Sequence, residues 1–355
     1  MHVILAAGGT GGHIEPALNV ADALRRLQPS VGITVIGSDR GLEEVLVPAR
    51  GYELIALPSI PLPRRPSGDL VRLGPRLRRA VREAADAMQQ RGASAVLGFG
   101  GYAAVPAYLA ARRLQVPLVV HEANARPGIA NRMGARFARE AYEAYPGTIR
   151  GARPMASPLR REIAVLDRPS ARAAARAHFG LAADVPVLLV FGGSQGARRL
   201  NDTVAQSVPG LRSQGIAVLH AYGARNDPPE AGPGYVGLPF IERMDLAYAA
   251  ADLAVARAGA MTCAELAAVG LPAVYVPLPI GNGEQSLNAR PVVDAGGGLL
   301  IEDASLTAEW LTRTATELLH DGSRLAAMSA AAYRHGVRDA DEQLARVILR
   351  AGGVP

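Results

Sequence analysis

The chain has 355 residues, 49% hydrophobic and only 20% charged, which excludes a disordered protein and supplies enough sequence for two compact cores. Its single cysteine, Cys263, excludes an internal disulfide and a cysteine metal cluster, and suits a reducing compartment. All 38 basic residues are arginine, a bias that GC-rich coding explains, and the net charge of +6 belongs to the first half: residues 1–155 hold 20 Arg against 12 acidic groups, the remainder 18 against 20.

The first apolar run, His2–Ala7, reads as a buried strand and leads into the turn Gly8-Gly9-Thr10-Gly11-Gly12-His13. A helix is expected from near Glu15-Pro16, proline being suited to a first helical turn. A strand, a glycine turn and a helix aim unpaired N–H groups and a positive helix end at an anion, expected to be a phosphate. His13 at such a helix start has its pKa lowered, which favours the neutral form that acts as a base; a histidine that merely caps the turn is the plain alternative. The N-terminus enters the strand without a charged leader, so no secretory signal is expected and the expected compartment is the cytoplasm.

Further strands are expected at 33–37, 54–57, 95–99 and 118–121, separated by helical periodicity. Between the second and third of these lies an arginine cluster, Arg64, Arg65, Arg72, Arg76, Arg78, Arg79 and Arg82, opposed within it only by Asp69. It favours an anionic partner, a membrane surface or nucleic acid. Leu70, Leu73, Leu77, Val81, Ala84 and Met88 make this segment an amphipathic basic helix, either packed on the sheet or lying on a membrane. The uncharged stretches 94–111 and 266–283 are long enough to span a bilayer, but Gly and Pro interrupt both, and no transmembrane helix is expected.

The second half repeats the pattern with strands at 187–191, 217–220, 236–238, 253–256, 273–277 and 299–302, so two doubly wound α/β domains are expected, joined between 156 and 167, with a last helix from 340 to 349 that folds back across the junction. Their boundaries are read as 1–160 and 161–335, with 336–355 packing on the first. Ligands of such sheets bind beyond the carboxyl ends of the strands, and two of them would face each other across a cleft. The second glycine turn, Gly192-Gly193-Ser194-Gln195-Gly196-Ala197, follows the 187–191 strand.

Neither turn is a dinucleotide fingerprint, although Asp39 sits where a ribose-binding acid could. Ile14 and Ser194 stand where G-x-G-x-x-G needs glycine, and without lysine there is no P-loop. After the 253–256 strand, Thr262 and Glu265 have the form of a capping box; the functional reading is a helix start facing a diphosphate, with Glu265 accepting two ribose hydroxyls. Gln285 and Asn288 in the polar segment 283–288 suit sugar hydroxyls, unless that segment is only a polar loop. Asp339-Ala340-Asp341 matches an acidic metal motif but reads as a solvated charged turn, so no metal and no cofactor is expected. Leaving-group charge would fall to helix ends and arginine, the logic of a metal-independent sugar transferase.

GGTGGHIEPAL at 8–18, GFGGYAAVP at 98–106, HEANARPGIANR at 121–132, GGSQGARRLN at 192–201, RAGAMTCAELAAVGLPAVYVPLP at 257–279 and GNGEQSLNA at 281–289 resemble the MurG family, in order and nearly end to end. The resemblance implies a GT-B fold of two Rossmann-like domains, with the donor on the second and the acceptor and membrane side on the first. It implies inverting transfer of GlcNAc from UDP-GlcNAc to the muramoyl C4 hydroxyl of lipid I, forming lipid II. Carried over by position, the donor contacts are Thr10, Gly11, Gly12, Asn124, Arg160, Ser194, Ile241, Ala260, Met261, Thr262, Cys263, Ala264, Glu265 and Gln285, with Gly193 and Asn288 as further contacts. Ile241 would meet the uracil through its backbone, and His13 is the family's position for the base. The implied partners are UDP-GlcNAc, lipid I, an anionic membrane surface and cell-wall synthesis proteins, with no nucleic acid. The implied location is the cytoplasmic face of the cell membrane, held peripherally. Ala123 replaces the usual Gln of the third block, Ala156-Ser157 a Gly-Asn pair, and Ala104-Val105 a Ser-Gly pair. Another GT-B UDP-sugar enzyme, an epimerase included, or a non-catalytic sugar-nucleotide binder are the competing readings.

Overall fold

The computed structural model describes residues 1–58, 69–193, 198–227, 232–280 and 282–354, the side chains of 69–72 excepted. The chain divides into two compact units, Met1–Arg160 with Asp339–Pro355, and Arg161–Arg338.

The first unit alternates strand and helix in chain order: β1 (His2–Ala7), α1 (Gly11–Leu27), β2 (Gly32–Ser38), α2 (Glu43–Ala49), β3 (Glu53–Leu57), α3 (Asp69–Gln90), β4 (Ala95–Gly100), α4 (Ala104–Leu114), β5 (Leu118–Glu122), α5 (Ile129–Gly134), β6 (Glu140–Glu143) and β7 (Arg153–Pro154). Its strands pair in the order β3-β2-β1-β4-β5-β6-β7, all parallel, so the order reverses between β1 and β4. Alternate residues of β1 explain how both faces are covered. Val3, Leu5 and Ala7 pack with Ile14, Leu18 and Leu24 of α1, whereas Ile4 and Ala6 pack with Tyr108 and Ala111 of α4.

The second unit runs α6 (Arg161–Ala164), α7 (Arg168–His178), β8 (Val187–Phe191), α8 (Arg198–Ser213), β9 (Ala217–Ala221), β10 (Tyr235–Leu238), α9 (Met244–Ala250), β11 (Leu253–Ala256), α10 (Ala260–Ala268), β12 (Ala273–Tyr275), α11 (Glu284–Asp294), β13 (Gly298–Leu300), α12 (Ala308–His320) and α13 (Gly322–His335). Its sheet is also parallel, in the order β10-β9-β8-β11-β12-β13, reversing between β8 and β11. The final helix, α14 (Ala340–Ala351), returns to the first unit, where Leu344, Val347 and Ile348 share a core with Ile14 and Leu18 of α1. Asp341 is therefore buried, and its Oδ2 accepts from Arg26 at 2.6 Å; the solvated turn expected at 339–341 is instead an ion pair that fastens α14 to α1.

Three local expectations change. The helix after the first glycine turn begins at Gly11, not at Pro16, because the Thr10 carbonyl accepts from His13 and Ile14 and closes the first turn early. Gly259, in extended conformation, caps α10, so Thr262 is the third helical residue and no capping box forms. The stripe on α3 is divided: Ala84, Ala85 and Met88 are core, whereas Leu73 and Leu77 are half-buried and Arg76, Arg78, Arg79 and Arg82 are exposed. Arg64 and Arg65 lie outside the described residues. Residues 94–111 and 266–280 fold as strand, loop and helix segments, and among the described residues no helix is long and apolar enough to cross a membrane.

Candidate functional site

Both reversal points lie where the sequence places its glycine turns. In a doubly wound sheet the loops on either side of the reversal splay apart and leave a crevice at the strands' carboxyl ends. In the first unit these are the turn after β1 and the turn after β4; in the second, the turn after β8 and the segment after β11.

The first unit's crevice is a cavity of about 210 Å³ lined by Gly8, Gly9, Thr10 and His13 from one side, Ser38 and Arg40 from the end of β2, and Tyr102 and Pro106 beyond β4. Two glycines let its walls close. Gly9 has φ +90°, and Gly101, at φ +81°, passes so close to the Gly8 carbonyl that a Cβ there would collide with it. The β1–β4 register slips between Ala6 and Ala7, a bulge immediately before the turn.

Thr10 occupies the N-cap position of α1 yet makes no capping bond. Such a bond is worth about 1 kcal/mol. Its Oγ1 is instead 3.0 Å from Nδ1 of His13. Burial lowers the His13 pKa, opposed by the carboxylates of Glu122 and Glu43, so the imidazole is neutral at pH 7, as expected at a helix start, but with burial as the main cause.

Asn124 lies in the loop after β5. Its N–H and its Nδ2 donate to Glu122 Oε1, at 2.9 and 3.2 Å. The other oxygen of this buried carboxylate accepts from Gly128 N and Asn131 Nδ2, while Asn131 Oδ1 takes the Tyr108 hydroxyl, which itself accepts from Gly100 N. Glu122 thus fixes loop 123–128 and links it to the turn after β4. Arg160 is the last residue of the first unit before the chain crosses to the second.

In the second unit, Ala260 to Glu265 occupy the first six positions of α10, whose N-terminal N–H groups open beyond β11. Asn288 Nδ2 donates to the Ala258 carbonyl, and Gln285 Oε1 accepts from Leu278 N, so α11 braces both the segment that leads into α10 and the one that follows β12. Gln285 and Asn288 are therefore helical, not part of a polar loop. Glu265 is 9% exposed, and its Oε2 accepts from the Tyr248 hydroxyl at 2.7 Å. Burial pushes the Cys263 thiol up, so it is no nucleophile. Ile241 is buried just before α9, Gly193 has φ +92°, and Ser194 lies outside the described residues.

Several contributors act through contacts that the sequence does not show: Glu43, Tyr248, and the buried pair Arg257–Asp303 at 2.6 Å, although Arg257 opens the fifth motif block. Arg257 also donates to the carbonyls of Val276 and Pro277, and Arg199 of α8 donates to the Asp303 carbonyl. Asp303 thereby joins α8, which follows the second glycine turn, to the segment entering α10. Glu122 does stand inside the third motif block, but only its contacts reveal its work.

Residues 3–143 match the Glycosyltransferase family 28 N-terminal domain, and residues 187–344 the Glycosyltransferase family 28 C-terminal domain. A UDP-N-acetylglucosamine--N-acetylmuramyl-(pentapeptide) pyrophosphoryl-undecaprenol N-acetylglucosamine transferase from Streptomyces avermitilis is 56% identical, over 99% of this chain and 98% of its own. A protein of the same name from Mycobacterium sp. strain JLS is 58% identical, over 98% and 95%. Among solved structures, Acinetobacter baumannii MurG is similar with a TM-score of 0.75 at 30% identity, over 98% of this chain and 99% of that one. The glycosyltransferase SnogD of Streptomyces nogalater reaches 0.69 at 18% identity, over 99% and 100%, a likeness of fold alone.

Proposed function

This chain belongs to the MurG family of N-acetylglucosaminyltransferases, with its GT-B architecture, and from that premise we propose how its two units divide the reaction. The chain transfers GlcNAc from UDP-GlcNAc to the muramoyl C4 hydroxyl of lipid I, giving lipid II with inversion. In our reading the second unit holds the donor. The N-terminus of α10 and the turn carrying Gly193 and Ser194 receive the diphosphate, Glu265 the ribose, the backbone of Ile241 the uracil, and Gln285 and Asn288 the sugar. The first unit receives the acceptor at the cavity beside Thr10 and His13.

The reaction is a single in-line displacement. The acceptor oxygen forms the new bond to the anomeric carbon as the bond to UDP breaks, and its proton passes to His13. With Nδ1–H donating to Thr10 Oγ1, the Nε2 lone pair is left to take that proton. Charge grows on the departing diphosphate, and fixed N–H groups at a helix start stabilise it more in the transition state than before.

The observation that carries this reading is that Thr10 gives up its capping bond to orient His13 inside the cavity. His13→Ala, assayed with UDP-GlcNAc and lipid I and with product masses read out, should lose about 10²–10⁴-fold in kcat. A kcat within about threefold of wild type removes His13 from the role. Because the His13 pKa is lowered, the acid limb of the wild-type profile should lie below pH ~6.5.

We further propose peripheral attachment to the cytoplasmic face of the membrane through α3. Exposed Arg76, Arg78 and Arg82 beside half-buried Leu73 and Leu77, together with a lipid-borne acceptor, support it. Attraction of such arginines to anionic lipid is worth about 1 kcal/mol each near the surface.

A further inference from the structure

Glu43, the first residue of α2, is fully buried, at 0% exposure. Its hydrogen-bond donors among the described residues are all neutral. Oε1 accepts from Ser38 N at 2.9 Å, Ser38 Oγ at 2.6 Å and Gly9 N at 3.2 Å, and Oε2 lies 3.3 Å from the same Gly9 N. A carboxylate buried without a cation is expensive, and persists only where donors are arranged around it. Here the chain has cleared its space with glycine. A Cβ on Gly8 would lie 2.7 Å from Oε1, one on Gly37 2.9 Å from Cγ, and one on Gly41 would fall onto the carboxylate itself.

Two consecutive glycines have more backbone freedom than a pair of any other residue type, and Gly8 and Gly9 immediately precede Thr10 at the start of the helix that carries His13. Among the described residues, the Gly9 N–H is tied down only by Glu43. We propose that Glu43 is a positioning residue of the transfer reaction: by bridging Ser38 to the Gly9 N–H, it fixes the first glycine turn and thereby holds Thr10 and His13 in line for the acceptor proton. The proposal rests on the reading of His13 as base. It also gives the Gly9 N–H an internal partner, so the turn is not the open phosphate cradle that its glycines suggest.

The charge has a second effect. His13 faces Glu43 from α2 and Glu122 from β5, while Arg40 and Tyr102 line the same cavity. Both carboxylates favour the protonated imidazole and oppose its burial, so Glu43 also brings the base nearer to working pH.

Glu43→Gln is nearly isosteric but turns one acceptor into an NH2 that must face the donors of Ser38 or Gly9. In the full-length chain we expect kcat to fall about 10–100-fold, as for a displaced catalytic group. The KM for UDP-GlcNAc should stay within about twofold. The His13 titration, followed by NMR of 13C-labelled histidine, should move to lower pH. Glu43→Asp keeps the charge but withdraws from Gly9, so kcat should fall while the His13 titration holds. A folded Glu43→Gln protein with kcat within about threefold of wild type and an unmoved His13 titration overturns the proposal. So does failure of both variants to fold, which would make Glu43 a determinant of the fold alone. Wild-type activity in His13→Ala combined with a loss in Glu43→Gln would refute the base and leave the clamp on the turn standing.

Discussion

Tyr248→Phe isolates one hydrogen bond at the donor side. The tyrosine is 1% exposed, and its ring lies 6.1 Å from that of Phe191, packing that phenylalanine preserves. What is lost is an O–H donor 2.7 Å from the Glu265 carboxylate. A hydrogen bond to a charged group is worth about 1.5–3 kcal/mol. Part of that loss falls on the free protein, since Glu265 is nearly buried whether or not nucleotide is bound, so only the share that orients the carboxylate reaches binding. A share of about 1.4 kcal/mol, just under that lower bound, gives a roughly tenfold weaker Kd for UDP. Calorimetric titration with UDP measures it directly, and kcat at saturating donor should change by less than about twofold. A double-mutant cycle with Glu265→Gln should show coupling above about 0.5 kcal/mol. Additivity within about 0.3 kcal/mol, or a Kd unchanged in Tyr248→Phe, refutes the idea that this hydroxyl sets the carboxylate for a ribose.

Three further outcomes are expected. His220 is buried between the Tyr235 hydroxyl and Asn201 Oδ1, and burial lowers its pKa to about 4, below the unfolded value. Between those values the unfolded chain binds a proton that the folded chain refuses. This contribution is therefore intact above pH ~6.5 and falls by at most about 3 kcal/mol as pH drops toward 4. Urea unfolding at pH 7.5, 6 and 5 should show that slope, and an equal slope in His220→Gln would assign it instead to His13 and His121, whose pKa values burial also lowers. Asp303→Ala strands the buried Arg257 and should cost about 3 kcal/mol of stability in the second unit, read from its urea midpoint, with weaker UDP binding; a loss below about 1 kcal/mol would mean that the carbonyls of Val276 and Pro277 suffice for the guanidinium. The chain should sediment with anionic vesicles at low salt and less so at high salt, and no association at either removes α3 from the membrane role.

The alternation of buried strand and amphipathic helix was legible wherever a strand is central. Apart from the leading His2, β1, β4, β8 and β11 carry no polar side chain, and both glycine turns follow central strands at a reversal of order. β6 and β7 were not legible. Glu140–Glu143 carries two carboxylates that serve Tyr142, Gly147 and Ile149, and Arg153–Pro154 is an exposed two-residue edge, so neither has an apolar signature. The two misplaced helix starts have separate local causes: the Thr10 carbonyl closes the first turn of α1 ahead of Pro16, and Gly259, in extended conformation, caps α10 three residues before Thr262. Glu43 and Tyr248 could not be read at all, because their work depends on partners 34 and 17 residues away.

The return of α14 to α1 has a consequence for synthesis on the ribosome. Residues 161–338 are contiguous and can fold as soon as they emerge. The first unit emerges earlier, yet Ile14, Leu18 and Leu24 lack the cover of Leu344, Val347 and Ile348 until more than 300 residues later. The first domain made is thus the last completed, and throughout that interval its uncovered α1 face exposes the nascent chain to chaperones and to aggregation.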